Sequence, residues 1–175
     1  LKEIEDAAIL THKNIAPDEN LRFLYLSKIN PETDYLKENC NIEKIAEDFE
    51  NRLNERMQEE IIRAQTLVGP HRDDIEFCIN GTDAVKFASQ GQQRTLVLSL
   101  KLSELEIIKE KTGYYPILLL DDVLAELDDK RQNYLLKSID ENTQTIITSV
   151  DTLLFEQEFL KDVTIYNIEN GKVKI

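Results

Sequence analysis

Residues 117–122 read Ile117-Leu118-Leu119-Leu120-Asp121-Asp122, and the fold class turns on them. Four apolar residues in a row lack the alternation of a half-exposed strand and the length of a helix. They read as a strand in the middle of a parallel sheet, covered on both faces. Two carboxylates leave at its C-terminal end, where open α/β sheets place their ligands. Upstream, Gln92 to Lys111 is a helical segment, apolar on most sides early on through Leu96, Val97, Leu98, Leu100 and Leu102, so burial is expected. Gly113 stops it. Downstream lie a helix over Asp129 to Ile139 and a β-rich strand over Thr143 to Thr148. Strands alternating with helices in this way imply an α/β fold with a parallel layer.

The remainder of the chain divides at Gly69-Pro70, where the texture changes. Before it, Leu1 to about Asn14 reads as the end of a helix that starts without a cap, the mark of a segment cut from something longer. Arg22 to Ser27 is a short strand ended by an Asn30-Pro31 turn. From Ile42 to Thr66, the residues Ile42, Ile45, Phe49, Leu53, Met57, Ile61 and Ala64 mark one face of a long amphipathic helix. Its other face, with Glu47, Asp48, Arg52, Glu55, Arg56 and Glu59, reads as solvated and laced with weak i,i+4 pairs. After Gly69, Asp74 to Asn80 alternates as a strand, and Asn80-Gly81 signals a hairpin returning through Val85 to Ala88. The tail reads as an edge hairpin, Val163 to Ile168 against Val173 to Ile175, around Glu169-Asn170-Gly171.

The 175 residues, 41% hydrophobic and 31% charged, suffice for one globular domain or a domain with an appendage. Acidic residues outnumber basic ones 34 to 21, and the formal charge of -13 is spread over both halves. Such a chain is no self-sufficient nucleic-acid binder; any DNA contact must be local or shared. Cys40 and Cys78 sit in no metal or redox spacing, which fits a reduced cytoplasmic setting. No apolar run approaches the roughly 18 residues of a membrane helix. The five glycines, at 69, 81, 91, 113 and 171, cannot form G-x-x-x-x-G-K-[ST], so the sequence holds no phosphate-binding P-loop.

Three groups of residues carry chemistry. Asp121 suits Mg²⁺ held beside phosphate oxygens, and Asp122 is placed to orient or deprotonate a water. A strand end with acidic residues also serves simply to cap a turn. Asp128 lies shortly downstream and doubles as an N-cap for the next helix. Ser89-Gln90-Gly91-Gln92-Gln93-Arg94 opens the long helix with a hydroxyl, a glycine and free amides aimed at an anion, or, more plainly, a Ser-capped first turn. Gly69-Pro70-His71-Arg72-Asp73-Asp74 reads as a Pro-led turn with salt-bridged charges in which Arg72 acts through its charge. Lys101, Lys109 and Lys111 read as solvated, and His12 as incidental.

Gly69 to Asp74, Ser89 to Arg94 and Ile117 to Asp128, in that order, resemble the C-terminal half of the RecF family, bacterial repair ATPases whose head is similar to ABC-type and structural-maintenance-of-chromosomes proteins. The resemblance runs from about Thr66 to the end and fits the helical lead-in less closely. It implies that residues 1–65 are part of a helical accessory lobe and 66–175 the C-terminal part of a P-loop ABC-type ATPase head. Ser89, Gln90, Gly91, Gln92 and Gln93 then correspond to the signature motif that contacts ATP on the opposite subunit. Asp121 corresponds to the Walker B acid for Mg²⁺, Asp122 to the catalytic carboxylate, and Asp128 to the D-loop aspartate at a dimer interface. Thr148-Ser149 falls where many ABC ATPases carry a switch histidine.

Three departures accompany the resemblance. Gln90 replaces a glycine of the general ABC signature, Asp122 is one methylene shorter than the usual glutamate, setting its oxygens about 1.5 Å back, and Ser149 is not histidine. Slow turnover is the expectation, and with no P-loop this chain alone is expected to be inactive. The family implies an ATP-dependent homodimer on DNA during repair and replication, with RecR and RecO as partners. Two rivals stand beside this reading: a Mg²⁺-dependent phosphoacceptor or phosphatase using Asp121 and Asp122, and a non-catalytic adaptor that keeps only the fold.

Overall fold

The computed structural model describes residues 1–30, 33, 41–152, 155, 157–161 and 163–174. They form two compact units, Leu1–Pro116 and Ile117–Ile175. Pro31 of the expected turn, Cys40 and Ile175 of the tail hairpin lie outside the described residues.

The first unit holds α1 (Lys2–Ile15), β1 (Leu21–Leu26), α2 (Ile42–Arg63), β2 (Asp74–Ile79), β3 (Thr82–Asp83), α3 (Ala84–Phe87) and α4 (Gln90–Thr112). β1 pairs antiparallel with β2 from Leu21↔Ile79 to Leu26↔Asp74, so strands from either side of residue 66 share one sheet. Leu21, Phe23 and Ile79 are buried with Ala8, Ala84 and Leu96, while Arg22 between them is exposed. Phe23 and Phe77 meet edge to face at 4.9 Å.

The β2–β3 turn takes the expected hairpin form, with positive φ at Asn80 and Gly81. The expected return strand over Val85 to Ala88 is corrected: β3 stops after two residues. Asp83 accepts hydrogen bonds from the Val85 and Lys86 amides and so starts the short helix α3. α4 also differs from its expected apolar character. Its buried face mixes Leu96, Leu98 and Leu102 with Thr95, Ser99 and Ser103, while Val97 is exposed. Each of the three hydroxyls donates to the carbonyl one turn back, at 2.6–2.9 Å, which satisfies it within the helix. α2 ends at Arg63 and buries none of its residues; Ile42, Ile61 and Ile62 are all more than two thirds exposed. Its charged face is laced as expected, through Lys44–Asp48, Arg52–Glu55 and Arg63–Glu59.

The second unit holds β4 (Leu118–Asp121), a 3-10 turn (Leu124–Glu126), α5 (Asp129–Ser138), β5 (Thr145–Thr148), α6 (Gln157–Leu160) and the hairpin β6 (Asn167–Glu169) and β7 (Lys172–Lys174). β4 and β5 run parallel in the register Leu118↔Thr145 to Asp121↔Thr148. Leu120, Leu124, Leu127 and Leu135 are buried. The expectation that β4 is covered on both faces is corrected: among the described residues it pairs only with β5, and Leu119 is 68% exposed.

Candidate functional site

The parallel register of β4 and β5 brings Asp121 beside Thr148, at the C-terminal ends of both strands. The Thr148 hydroxyl donates to Asp121 Oδ1 at 2.6 Å and accepts the Asp122 backbone N–H at 3.0 Å. Asp122 has φ +52°, a left-handed conformation that few non-glycine residues adopt and that aspartate tolerates better than most. Asp121, Asp122 and Thr148 are all exposed. Thr148 was missed as a partner of the acids. A threonine closing the strand after a strand that ends in carboxylates is the signal that points to it.

Asp128 caps α5, its Oδ1 accepting the Arg131 N–H at 2.9 Å and its Oδ2 bonding the Arg131 guanidinium. The Arg131 amide, with the Arg131 and Lys130 charges, holds the Asp128 carboxyl below the usual carboxylate range against some desolvation. Gln132, also unforeseen, is buried, and its Nε2 donates to the carbonyls of Leu124 at 2.7 Å and Leu127 at 3.0 Å. It ties the segment between Asp122 and Asp128 to α5.

In the first unit, Ser89 opens α4 in a capping box. Its hydroxyl accepts the Gln92 N–H at 3.3 Å, and Gln92 Oε1 accepts the Ser89 N–H at 2.9 Å. Gln93 Nε2 donates to the Ala84 and Val85 carbonyls, bracing α3 against the helix start. The plain cap is therefore formed, and it leaves chemistry available. The Ser89 hydroxyl accepts in the cap and keeps its own proton to donate. The amides of Gln90 and Gly91 lie in the first turn, where a helix offers no acceptor. Ser89 and Gln90 are exposed; Gly91, Gln92 and Gln93 are half-buried.

The Gly69–Asp74 turn is built by hydrogen bonds to neutral groups, which corrects the expected salt bridges. Arg72 Nε donates to the Thr66 carbonyl and its Nη2 to Gln65 Oε1, both at 2.9 Å. Asp73 accepts the Tyr25 hydroxyl at 2.5 Å and the Lys28 amide at 2.6 Å. His12 is not incidental either: it is fully buried between Glu19 and Ser99. Lys101 pairs with Glu104 and Lys111 with Glu3, while Lys109 lies over the Tyr115 ring at 4.3 Å. Burial pushes the Cys78 thiol up, away from the thiolate.

Among the described residues no three His, Cys, Asp or Glu side chains group to hold a metal by themselves. A single carboxylate with one oxygen braced by a hydroxyl fits Mg²⁺, which takes one or two carboxylates and completes its shell with water and phosphate. No described helix is long and apolar enough to cross a membrane.

No protein-family model matches the chain. Among curated proteins, it is 46% identical over 178 residues to the "DNA replication and repair protein RecF" of Clostridium novyi, covering 99% of this chain and 46% of that protein. It is 42% identical over 171 residues to the protein so named in Oenococcus oeni, covering 98% of this chain and 44% of that one. The solved structure of "the recombination mediator protein RecF-ATPrS in RecFOR pathway" matches with a TM-score of 0.74 and 35% identity over 98% of this chain and 43% of that chain. A second, of RecF-ATP, matches with the same TM-score at 34% identity. The chain thus spans less than half the length of these relatives. With identity and an α/β fold shared across nearly all of its own residues, it belongs to the RecF family, as a match to part of its members' length.

Proposed function

We propose that this chain is the C-terminal part of an ATP-dependent DNA-binding protein of recombinational repair and replication, acting as an ATP-coupled homodimer in the cytoplasm. Residues 66–175 belong to its ABC-type head; of residues 1–65, read as its helical lobe, β1 is paired with the head's β2 in one sheet. The observation that carries the reading is the acid pair Asp121–Asp122 at the C-terminal end of a parallel strand, braced by Thr148. The capped start of α4, in its family order, supports it. The exposed apolar residues of β4 and β5, including Leu119 and Ile146, suit a sheet continued by the rest of a longer protein.

Each residue then has one task. Asp121 presents a carboxylate oxygen to the cation's shell, and Asp122 orients or takes a proton from the attacking water. Ser89, Gln90 and Gly91 offer hydroxyl and amide donors to the γ-phosphate of ATP held by the partner subunit. Gln92 and Gln93 hold that turn in shape, and Asp128 fixes the start of α5 at the subunit interface. Bound Mg²⁺ would neutralise charge on the phosphate oxygens. DNA binding belongs to the dimer, since this chain is strongly acidic. RecR and RecO are the protein partners. The short Asp122 side chain and Ser149 in the place of a histidine favour slow turnover.

The test is Asp122→Asn in the complete protein. ATP turnover should fall about 10²-fold or more, the range of a lost general base, while ATP-dependent dimerisation on DNA persists. Turnover at the unsubstituted rate would remove Asp122 from the chemistry, and a complete, unsubstituted protein with no turnover would leave the adaptor reading in its place. An aspartyl-phosphate trapped on Asp121 would favour the phosphoacceptor instead.

A further inference from the structure

Thr148 bonds both members of the acid pair, and a hydroxyl can do so in one way only. It has a single proton and two lone pairs. The 2.6 Å contact to Asp121 Oδ1 takes the proton, because a carboxylate accepts, and the Asp122 N–H at 3.0 Å takes a lone pair. The hydroxyl rotor is therefore locked, and two consequences follow. One oxygen of Asp121 is committed to β5, which decides the oxygen it presents outward. The left-handed turn at Asp122 is held from outside, since its N–H finds an acceptor on the neighbouring strand rather than in its own turn.

We propose that Thr148 is a positioning residue for the acid pair: through one hydroxyl it sets the carboxylate face that Asp121 offers to Mg²⁺ and the backbone turn that places Asp122. The inference rests on the ATPase reading above and adds to it a residue from a different strand. Asp122 stands where a longer glutamate is usual, so its shorter reach makes the position of its backbone matter more.

Thr148→Val and Thr148→Ser in the complete protein test it. Valine keeps the β-branched shape and the strand propensity and removes both hydrogen bonds; serine keeps the hydroxyl. Thr148 is exposed, so neither change opens a cavity. Thr148→Val should lower kcat for ATP about 10- to 100-fold, leave KM for ATP within about threefold, and, in the nucleotide-free protein, speed amide-hydrogen exchange at Asp122, whose N–H loses its acceptor. Thr148→Ser should restore the rate to within about threefold. Equal rates in the valine variant, or equal losses in both variants, would overturn the inference while leaving the ATPase reading intact. A complete, unsubstituted protein with no turnover would overturn the ATPase reading, and the inference with it.

Discussion

His12 Nε2 lies 3.0 Å from Glu19 Oε2, and the imidazole is fully buried. On the other side of the ring, Nδ1 is 3.3 Å from Ser99 Oγ. Ser99 Oγ also donates to the Thr95 carbonyl at 2.7 Å, so helix backbone, hydroxyl and imidazole form one chain of contacts. Both ring nitrogens thus have a polar partner, and the ring joins α1, the turn after it and α4.

Replacing His12 therefore leaves the half-buried Glu19 carboxylate short of a partner. His12→Leu should destabilise the fold by about 1–3 kcal/mol, the cost of orphaned buried polar groups. Urea unfolding measures it, and an unchanged midpoint would show that the ring merely fills space.

Asp128 makes a pH-dependent contribution. Its folded carboxyl sits below the ordinary range because the Arg131 amide, and then the Arg131 and Lys130 charges, favour the ionised form. The stabilisation is complete above the unfolded carboxylate value and is lost as pH falls through the lowered folded value. Asp128→Ala should cost about 1 kcal/mol at neutral pH, as an N-cap does, and Asp128→Asn much less. The Asp128→Ala deficit should shrink on acid titration below pH ~4; a deficit that stays constant would contradict the capping role.

Gln132→Leu preserves bulk but leaves the Leu127 carbonyl unpaired and the Leu124 carbonyl with the Leu127 N–H alone. A loss of about 1–3 kcal/mol is expected, with faster amide exchange through residues 124–128. Protection unchanged in that segment would refute the tie.

Gly69 has φ +127°, and a Cβ there would come within 3.2 Å of the His71 ring. Gly69→Ala should cost about 1–3 kcal/mol from backbone strain, read as a lower Tm, and a neutral substitution would mean that the turn relaxes freely.

Much of this was legible in the chain itself. The apolar run before Asp121, the Ser89 cap and the Asn80-Gly81 hairpin rest on local chemistry, which a sequence carries openly. Features that depend on register or packing were not legible. Thr148 is 27 residues from Asp121 and meets it only through strand pairing. His12 carries no local mark of burial, since α4 supplies its partner from 87 residues away. Val85 to Phe87 has strand-like composition, yet the Asp83 cap makes it helical. The covered strand at 117–120 was inferred from apolarity alone, and the described residues do not supply all of its cover.

The central claim is that this chain holds the Mg²⁺-side and signature residues of an ATP site whose P-loop lies elsewhere in the complete protein. Calorimetric titration of ATP·Mg²⁺ into this chain, alone and then mixed with the separately made P-loop portion, tests it most directly. The account predicts no measurable binding by the chain alone and binding when both are present, weakened by Asp121→Ala. Tight binding by the chain alone, or mixed-sample binding indifferent to Asp121→Ala, would contradict it.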